Sequence, residues 1–188
     1  QKQIVEINSS NGTSQAVVNL NVNSTYFENL VFDNLNNKII GLYDIDDRNV
    51  SQSLIIVDLN NNSSETISLN NVSEGSRYSN LIFGNNNKLY GYKYFGAPSG
   101  NSTGQKQIVE INSSNGTSQA VVNLNVNSTY FDNLVFDNLN NKIIGLYDID
   151  DRNVSQSLLI VDLNNNNSET ISLNNVSEGS RYSGIIIE

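Results

Sequence analysis

Residues 1–79 recur almost unchanged as residues 105–183, an offset of 104 positions, with differences only at Glu28/Asp132, Ile55/Leu159 and Ser63/Asn167. A fixed internal period restricts a chain to stacked or radially arranged copies of one supersecondary unit, because every copy must bury the same faces against its neighbours. A weaker repeat of about half that length lies inside each copy. Ile4-Val5-Glu6-Ile7 matches Ile56-Val57-Asp58-Leu59, and Asn29-Leu30-Val31-Phe32 matches Asn80-Leu81-Ile82-Phe83. Asn36-Asn37-Lys38-Ile39-Ile40-Gly41-Leu42-Tyr43 matches Asn86-Asn87-Lys88-Leu89-Tyr90-Gly91-Tyr92-Lys93 in the same way. The true unit is therefore about 50 residues long.

Each unit holds four short runs rich in Val, Ile, Leu, Tyr and Phe, separated by Asn, Ser, Asp and Gly, the pattern of consecutive antiparallel strands. In the first complete unit they are Asn29 to Asp33, Lys38 to Asp44, Ser53 to Leu59 and Glu65 to Asn70. No window sustains a capped helical period. Short Asn-rich turns such as Asn34 to Asn37 and Asn60 to Ser64 read as hairpin connections. Asn fills 36 of the 188 positions, and its tolerance of left-handed backbone and its side-chain turns make it a turn former here rather than a mark of disorder.

Four strands per unit, a period of about 50 residues and an apolar first strand resemble the blade of a β-propeller. The resemblance covers nearly the whole chain and rests on strand count and period. The Trp-Asp dipeptide of WD40 blades, the Trp of quinoprotein-like blades and the double Gly of kelch blades are all missing, so it points to propellers in general and to no subfamily. It implies an all-β, β-propeller-like fold of about four antiparallel blades in one repeat domain spanning 1–188, each copy (1–104 and 105–188) being a two-blade unit.

With strands lettered a to d from the axis outward, the chain opens on c and d, at Gln3 to Ile7 and Ala16 to Leu20, runs through three full sets, and ends on an a-like run, Ser183 to Glu188. The first blade is then shared between the termini and lacks its b strand. At the end, Gly184-Ile185-Ile186-Ile187-Glu188 replaces Asn80-Leu81-Ile82-Phe83-Gly84 of the template. An incomplete, apolar edge of this kind is a place for pairing with another chain, which makes Gly184, Ile185, Ile186, Ile187 and Glu188 the candidate assembly edge. Three arrangements fit: a closed four-bladed monomer with one irregular blade, an assembly in which a neighbour covers the edge, or a piece of a longer array.

The residues present exclude most chemistry. Cys, His, Met and Trp are absent, which removes the thiolate nucleophile, the disulfide framework and the commonest acid/base and metal-binding side chain. A net charge of −9 with ten Lys plus Arg is opposite to what phosphate backbones or anionic membranes select. No stretch approaches the roughly 18 to 20 apolar residues of a membrane span. No cofactor, no nucleic acid and no membrane insertion are expected.

Fourteen Asn-x-Ser/Thr sequons are the main surface signal: Asn8, Asn11, Asn23, Asn49, Asn61, Asn62, Asn71, Asn101, Asn112, Asn115, Asn127, Asn153, Asn166 and Asn175. Nearly all fall in expected turns, where a bulky glycan is tolerated. The acidic turns at Asp44, Asp46 and Asp148, Asp150 offer hard oxygen ligands suited to Ca²⁺ but lack the order and distal Glu of an EF-hand. Adjacent carboxylates on one exposed turn also lack the opposed geometry of a glycosidase. Most aromatic residues sit at strand positions where packing uses them; Tyr94 and Phe95, beside the Gly/Pro-containing segment 96–104, are the best placed for a ligand.

These features together lead to the expectation of a non-enzymatic, extracellular or cell-surface glycoprotein. It would assemble with itself into a layer, fibre or matrix through edge-strand and loop contacts. The alternative is a lectin-like propeller module that binds carbohydrate or protein.

Overall fold

The computed structural model describes residues 2–22, 27–44, 51–70, 72, 76–95, 104–126, 131–148, 155–174 and 182–187. Fourteen strands run in chain order among them: β1 Lys2–Ile7, β2 Ser14–Leu20, β3 Phe27–Asp33, β4 Lys38–Asp44, β5 Gln52–Asp58, β6 Ser63–Ser68 and β7 Ser76–Phe83, then β8 Leu89–Phe95, β9 Lys106–Ile111, β10 Ser118–Leu124, β11 Phe131–Asp137, β12 Lys142–Asp148, β13 Gln156–Asp162 and β14 Asn167–Ser172. They form a two-stranded sheet 1 (β1–β2) and three four-stranded antiparallel meanders: sheet 2 (β3–β6), sheet 3 (β7–β10) and sheet 4 (β11–β14). A 3-10 turn at Asn85–Asn87 joins β7 to β8.

Asparagine makes the turns tight. Every non-glycine residue with positive φ among the described residues is Asn, and six of them, Asn37, Asn62, Asn86, Asn87, Asn141 and Asn166, lie in hairpin turns; its short polar side chain lowers the cost of the left-handed backbone. Asn29 (φ 48°) and Asn80 (φ 52°) do the same at bulges in the innermost strands β3 and β7. The turn after β3 is closed by Asp33, whose Oδ1 accepts the backbone N–H of Leu35 at 3.1 Å and of Asn36 at 3.0 Å. Asp137 repeats the arrangement on Leu139 and Asn140. These are the side-chain turns expected of Asx residues.

Strand alternation then sends successive side chains to opposite faces, and each sheet packs on the next. On β5, Ile55 and Val57 face sheet 1, where they meet Val18 and Leu20, whereas Leu54 and Ile56 face sheet 3 and meet Tyr78, Leu81, Val109 and Ile111. The other face of sheet 3 (Tyr90, Tyr92, Ile108, Val122, Leu124) packs on Phe131, Leu134, Ile143, Leu159 and Val161 of sheet 4. Each such seam removes whole aliphatic and aromatic side chains from water, about 1.5–3 kcal/mol apiece.

The result is the expected all-β, β-propeller-like series of antiparallel blades, with differences of detail. Three blades are complete, and sheet 1 contains β1 and β2 alone. The a-like run expected at Ser183 to Glu188 forms no strand over 182–187. Its template β7 is held by a ladder to β8, and among the described residues no strand pairs with the C-terminal run.

Candidate interaction surface

The duplication places identical strands in different surroundings, so exposure is decided by position in the series and not by sequence. β1 and β9 are both Lys-Gln-Ile-Val-Glu-Ile. In β9, Val109 and Ile111 are 1% and 3% exposed because sheet 2 covers them; in β1 their counterparts Val5 and Ile7 are 42% and 65% exposed. Leu134 in β11 is 6% exposed under sheet 3, whereas Leu30 in β3 is 52% exposed and Phe32 beside it is also bare. Among the described residues sheet 1 contributes no inner strands that pack over them. On the far side, Ile67 of β6 is packed against the seam between sheets 2 and 3, while its copy Ile171 in β14 is 47% exposed. Leu158 and Ile160 are likewise less buried than Leu54 and Ile56.

Leu35 and Leu139 give the contrast. They occupy equivalent turn tips and are exposed in both copies, so their exposure belongs to the turn itself. Three zones are instead bare in one copy only: the outward face of sheet 1, the inner half of sheet 2, and the outward face of sheet 4. Contiguous apolar exposure on a sheet face marks an association surface more often than scattered exposed residues do.

The covered seam between sheets 2 and 3 shows what completes such a face. Asn70 donates its backbone N–H to the Gly116 carbonyl at 3.0 Å and its Nδ2 to the Asn115 carbonyl at 3.4 Å. The Tyr78 hydroxyl donates to the Asn70 carbonyl at 3.1 Å and lies 2.7 Å from Ser118 Oγ. Gly116 sits so close that a Cβ on it would lie 2.0 Å from the Ser68 carbonyl oxygen; Gly12, its copy with the same φ of 71°, has nothing within 4 Å. Gln52 clasps the start of β7, its Oε1 accepting the Tyr78 N–H at 2.6 Å and its Nε2 donating to the Tyr78 carbonyl at 3.1 Å. Gln156 holds Tyr182 with the same pair of bonds, at 2.7 and 3.1 Å. The C-terminal run therefore starts in the place of an a strand. Beyond it, Ile185 is half-buried and Ile186 exposed.

Charge at the seams is tied down. Asp33 also accepts Asn87 Nδ2 of sheet 3 at 2.9 Å. Burial pushes its carboxyl up, but the bonds from Asn36, Asn87 and Leu35 outweigh that and hold it below the ordinary value of 3.8. Asp137 is also held below that value, chiefly by Asn140. Asp44 pairs with Arg77. Lys106 is buried, donates to the Val126 carbonyl at 2.8 Å, and is pushed below the usual lysine value by desolvation.

The structure distributes the other sequence-derived candidates as follows. Asn8, Asn11, Asn61, Asn62, Asn112, Asn115 and Asn166 are exposed in turns. Asn8 and Asn11 each accept the hydroxyl of their own sequon, from Ser10 at 2.6 Å and Thr13 at 2.7 Å. Asn23, Asn49, Asn71, Asn101, Asn127, Asn153 and Asn175 lie outside the described residues, as do Asp46, Asp150 and Glu188. Among the described residues no three metal-ligating side chains come together. Tyr94 and Phe95 are half-buried: Tyr94 stacks on Tyr92 with ring centroids 5.7 Å apart, and Lys93 Nζ lies 5.0 Å from the centre of the Phe95 ring. Sequence reading singled out the C-terminal edge and missed Val5, Ile7, Leu30, Phe32, Ile171 and Gly12.

No protein-family model matches the chain, and no curated protein is similar to it. Among solved structures it is similar to an oligogalacturonate lyase from Vibrio parahaemolyticus, with 9% identity and a TM-score of 0.46 over 89% of this chain. The chain spans 59% of that protein's length.

Proposed function

We propose that this chain is a non-enzymatic β-propeller repeat protein whose role is structural: it assembles with itself, outside the cell, into a layer, fibre or matrix. The observation that carries the reading is the exposure of Val5 and Ile7 in a strand whose identical copy is buried. An apolar face that already has a known way of being covered is a face that association stabilises. The residue types support a structural role as well. His and Cys are absent, and Asp33, Asp44 and Asp137 are engaged in turns or an ion pair.

Glycans on the exposed sequon residues would shield the turn surface while leaving the sheet faces free. Asn112 and Asn115 sit on the hairpin that lines a filled seam and still face solvent. Glycans on their copies Asn8 and Asn11 are thus compatible with association. The net charge of −9 opposes association at low ionic strength, so added salt strengthens it.

Light scattering across a concentration series tests the reading. The expected mass rises with concentration above that of one 20.7 kDa polypeptide plus any glycans. A single-chain mass at every concentration and salt level contradicts it. Intact-mass analysis of secreted material before and after enzymatic deglycosylation tests the glycan part, with several glycans expected per chain.

A further inference from the structure

We infer that Asn11 and Asn115 are sites of spontaneous covalent modification. Each closes a cyclic imide with the nitrogen of the glycine that follows it, and the hairpin that holds it keeps this chemistry off until the hairpin opens. The inference goes beyond the self-association proposed above and uses contacts inside each hairpin. Asn11-Gly12 and Asn115-Gly116 are the two Asn-Gly pairs of the sequence. A backbone nitrogen attacks the preceding side-chain amide fastest when it belongs to glycine, which puts no side chain in the way and bends freely.

The hairpins from β1 to β2 and from β9 to β10 are built alike. Asn11 and Asn115 are exposed, so water and base reach them. Asn11 Oδ1 accepts the Thr13 N–H at 3.0 Å and the Thr13 hydroxyl at 2.7 Å, and Asn115 Oδ1 holds Thr117 at the same two distances. Two donors on that oxygen polarise Cγ and are placed to stabilise the oxyanion that forms when Cγ is attacked. The attacking atom is restrained: Gly12 donates its N–H to the Asn8 carbonyl and Gly116 to the Asn112 carbonyl, both at 2.8 Å. Each loop is closed by a further 2.8 Å bond, from the Asn8 N–H to the Thr13 carbonyl and from the Asn112 N–H to the Thr117 carbonyl. The electrophile is thus activated while the nucleophile is tied down, and opening of the hairpin releases it.

On opening, the glycine nitrogen gives its proton to base and bonds to Cγ, while Nδ2 takes a proton from water and leaves as ammonia. Water then adds to the succinimide. Cleavage of the new Cγ–N bond leaves aspartate; cleavage of the original peptide C–N bond leaves isoaspartate, whose main chain runs through Cβ and Cγ and is one atom longer. Either product carries a new negative charge and has lost the nitrogen that a glycan would need, so the modified residue is no longer a sequon acceptor. At position 115 the longer main chain also displaces the Asn115 and Gly116 carbonyls, to which Asn70 of sheet 2 donates at 3.4 and 3.0 Å. Opening of this hairpin then becomes permanent.

The test uses unglycosylated protein from bacteria, held in mildly alkaline buffer beside the free peptide 112–118. Isoaspartate is counted by methyltransferase labelling and located by peptide mapping. Native protein is expected to be modified at Asn11 and Asn115 ahead of its other asparagines, and about tenfold or more slowly than the peptide, because the hairpin is open only a small part of the time. Asn112→Ala removes the side-chain turn that receives the Ser114 N–H and hydroxyl, and Asn8→Ala removes the same turn at Ser10. Each variant keeps the wild-type circular dichroism spectrum, and each is expected to speed modification several-fold in its own hairpin and leave the other unchanged. A native rate equal to that of the peptide, or rates unmoved by both variants, would overturn control by the hairpin. Absence of modification at Asn11 and Asn115 in both variants while the peptide reacts would overturn the sites themselves.

Discussion

β1 and β9 have one sequence and two fates. In β9 the valine and second isoleucine are core residues beneath sheet 2; in β1 they face solvent. Local propensity and alternation are identical in the two strands, so the difference comes entirely from whether a preceding sheet is present. The comparison separates what the repeat unit encodes, which is strands, turns and faces, from what the series supplies, which is burial. It also makes the molecule its own control, because substitutions at paired positions differ only in context.

The largest separation is expected at the paired glycines. Gly116→Ala carries the same left-handed strain as Gly12→Ala and in addition drives a methyl into the Ser68 carbonyl, forcing the seam between sheets 2 and 3 apart at a further cost of about 3 kcal/mol or more. Gly12→Ala meets open space and costs only the left-handed backbone strain of about 1–2 kcal/mol. Urea unfolding of dilute protein measures both.

Truncating the apolar pair should separate by somewhat less. Ile111→Ala leaves a cavity in a filled seam and is expected to cost about 2–4 kcal/mol, whereas Ile7→Ala stays within about 0.5 kcal/mol. Equal losses at the two positions would mean that β1 is covered in the single chain, and the comparison would break.

The turn carboxylates sharpen the account further. Asp33→Ala loses its turn bonds and the bond from Asn87 across the seam; Asp137→Ala, among the described residues, loses the equivalent turn bonds alone. Asp33→Ala should therefore be the more destabilising by about 1 kcal/mol. A smaller effect is expected from acid. Both carboxyls have folded-state values below the ordinary 3.8, so the stability they contribute is complete above the unfolded value and is lost as pH falls through the depressed one. Thermal unfolding between pH 5 and pH 2 should show this decline, and it should shrink in Asp33→Ala.

Most of the architecture was legible in the sequence. The two nested periods set the blade count to within a partial blade, and short apolar runs such as Leu54-Ile55-Ile56-Val57 marked the strands. The Asn-rich turns were readable because a left-handed backbone needs such residues. Two things were not readable. Gln52 and Gln156 look like ordinary polar strand residues, and only the fold brings them onto Tyr78 and Tyr182. The fate of Val5, Ile7 and Leu30 could not follow from local pattern at all, since Val109, Ile111 and Leu134 carry the same pattern and are buried.

Because the chain has no cysteine, a single introduced thiol reports directly on the central claim that the bare face of sheet 1 is covered by association. The alkylation rate of Ile7→Cys, followed over a range of protein concentrations with Ile111→Cys as the buried reference, is the decisive measurement. The account predicts fast modification of Ile7→Cys in dilute solution that slows toward the Ile111→Cys rate as concentration rises. A rate for Ile7→Cys that does not change with concentration would contradict it.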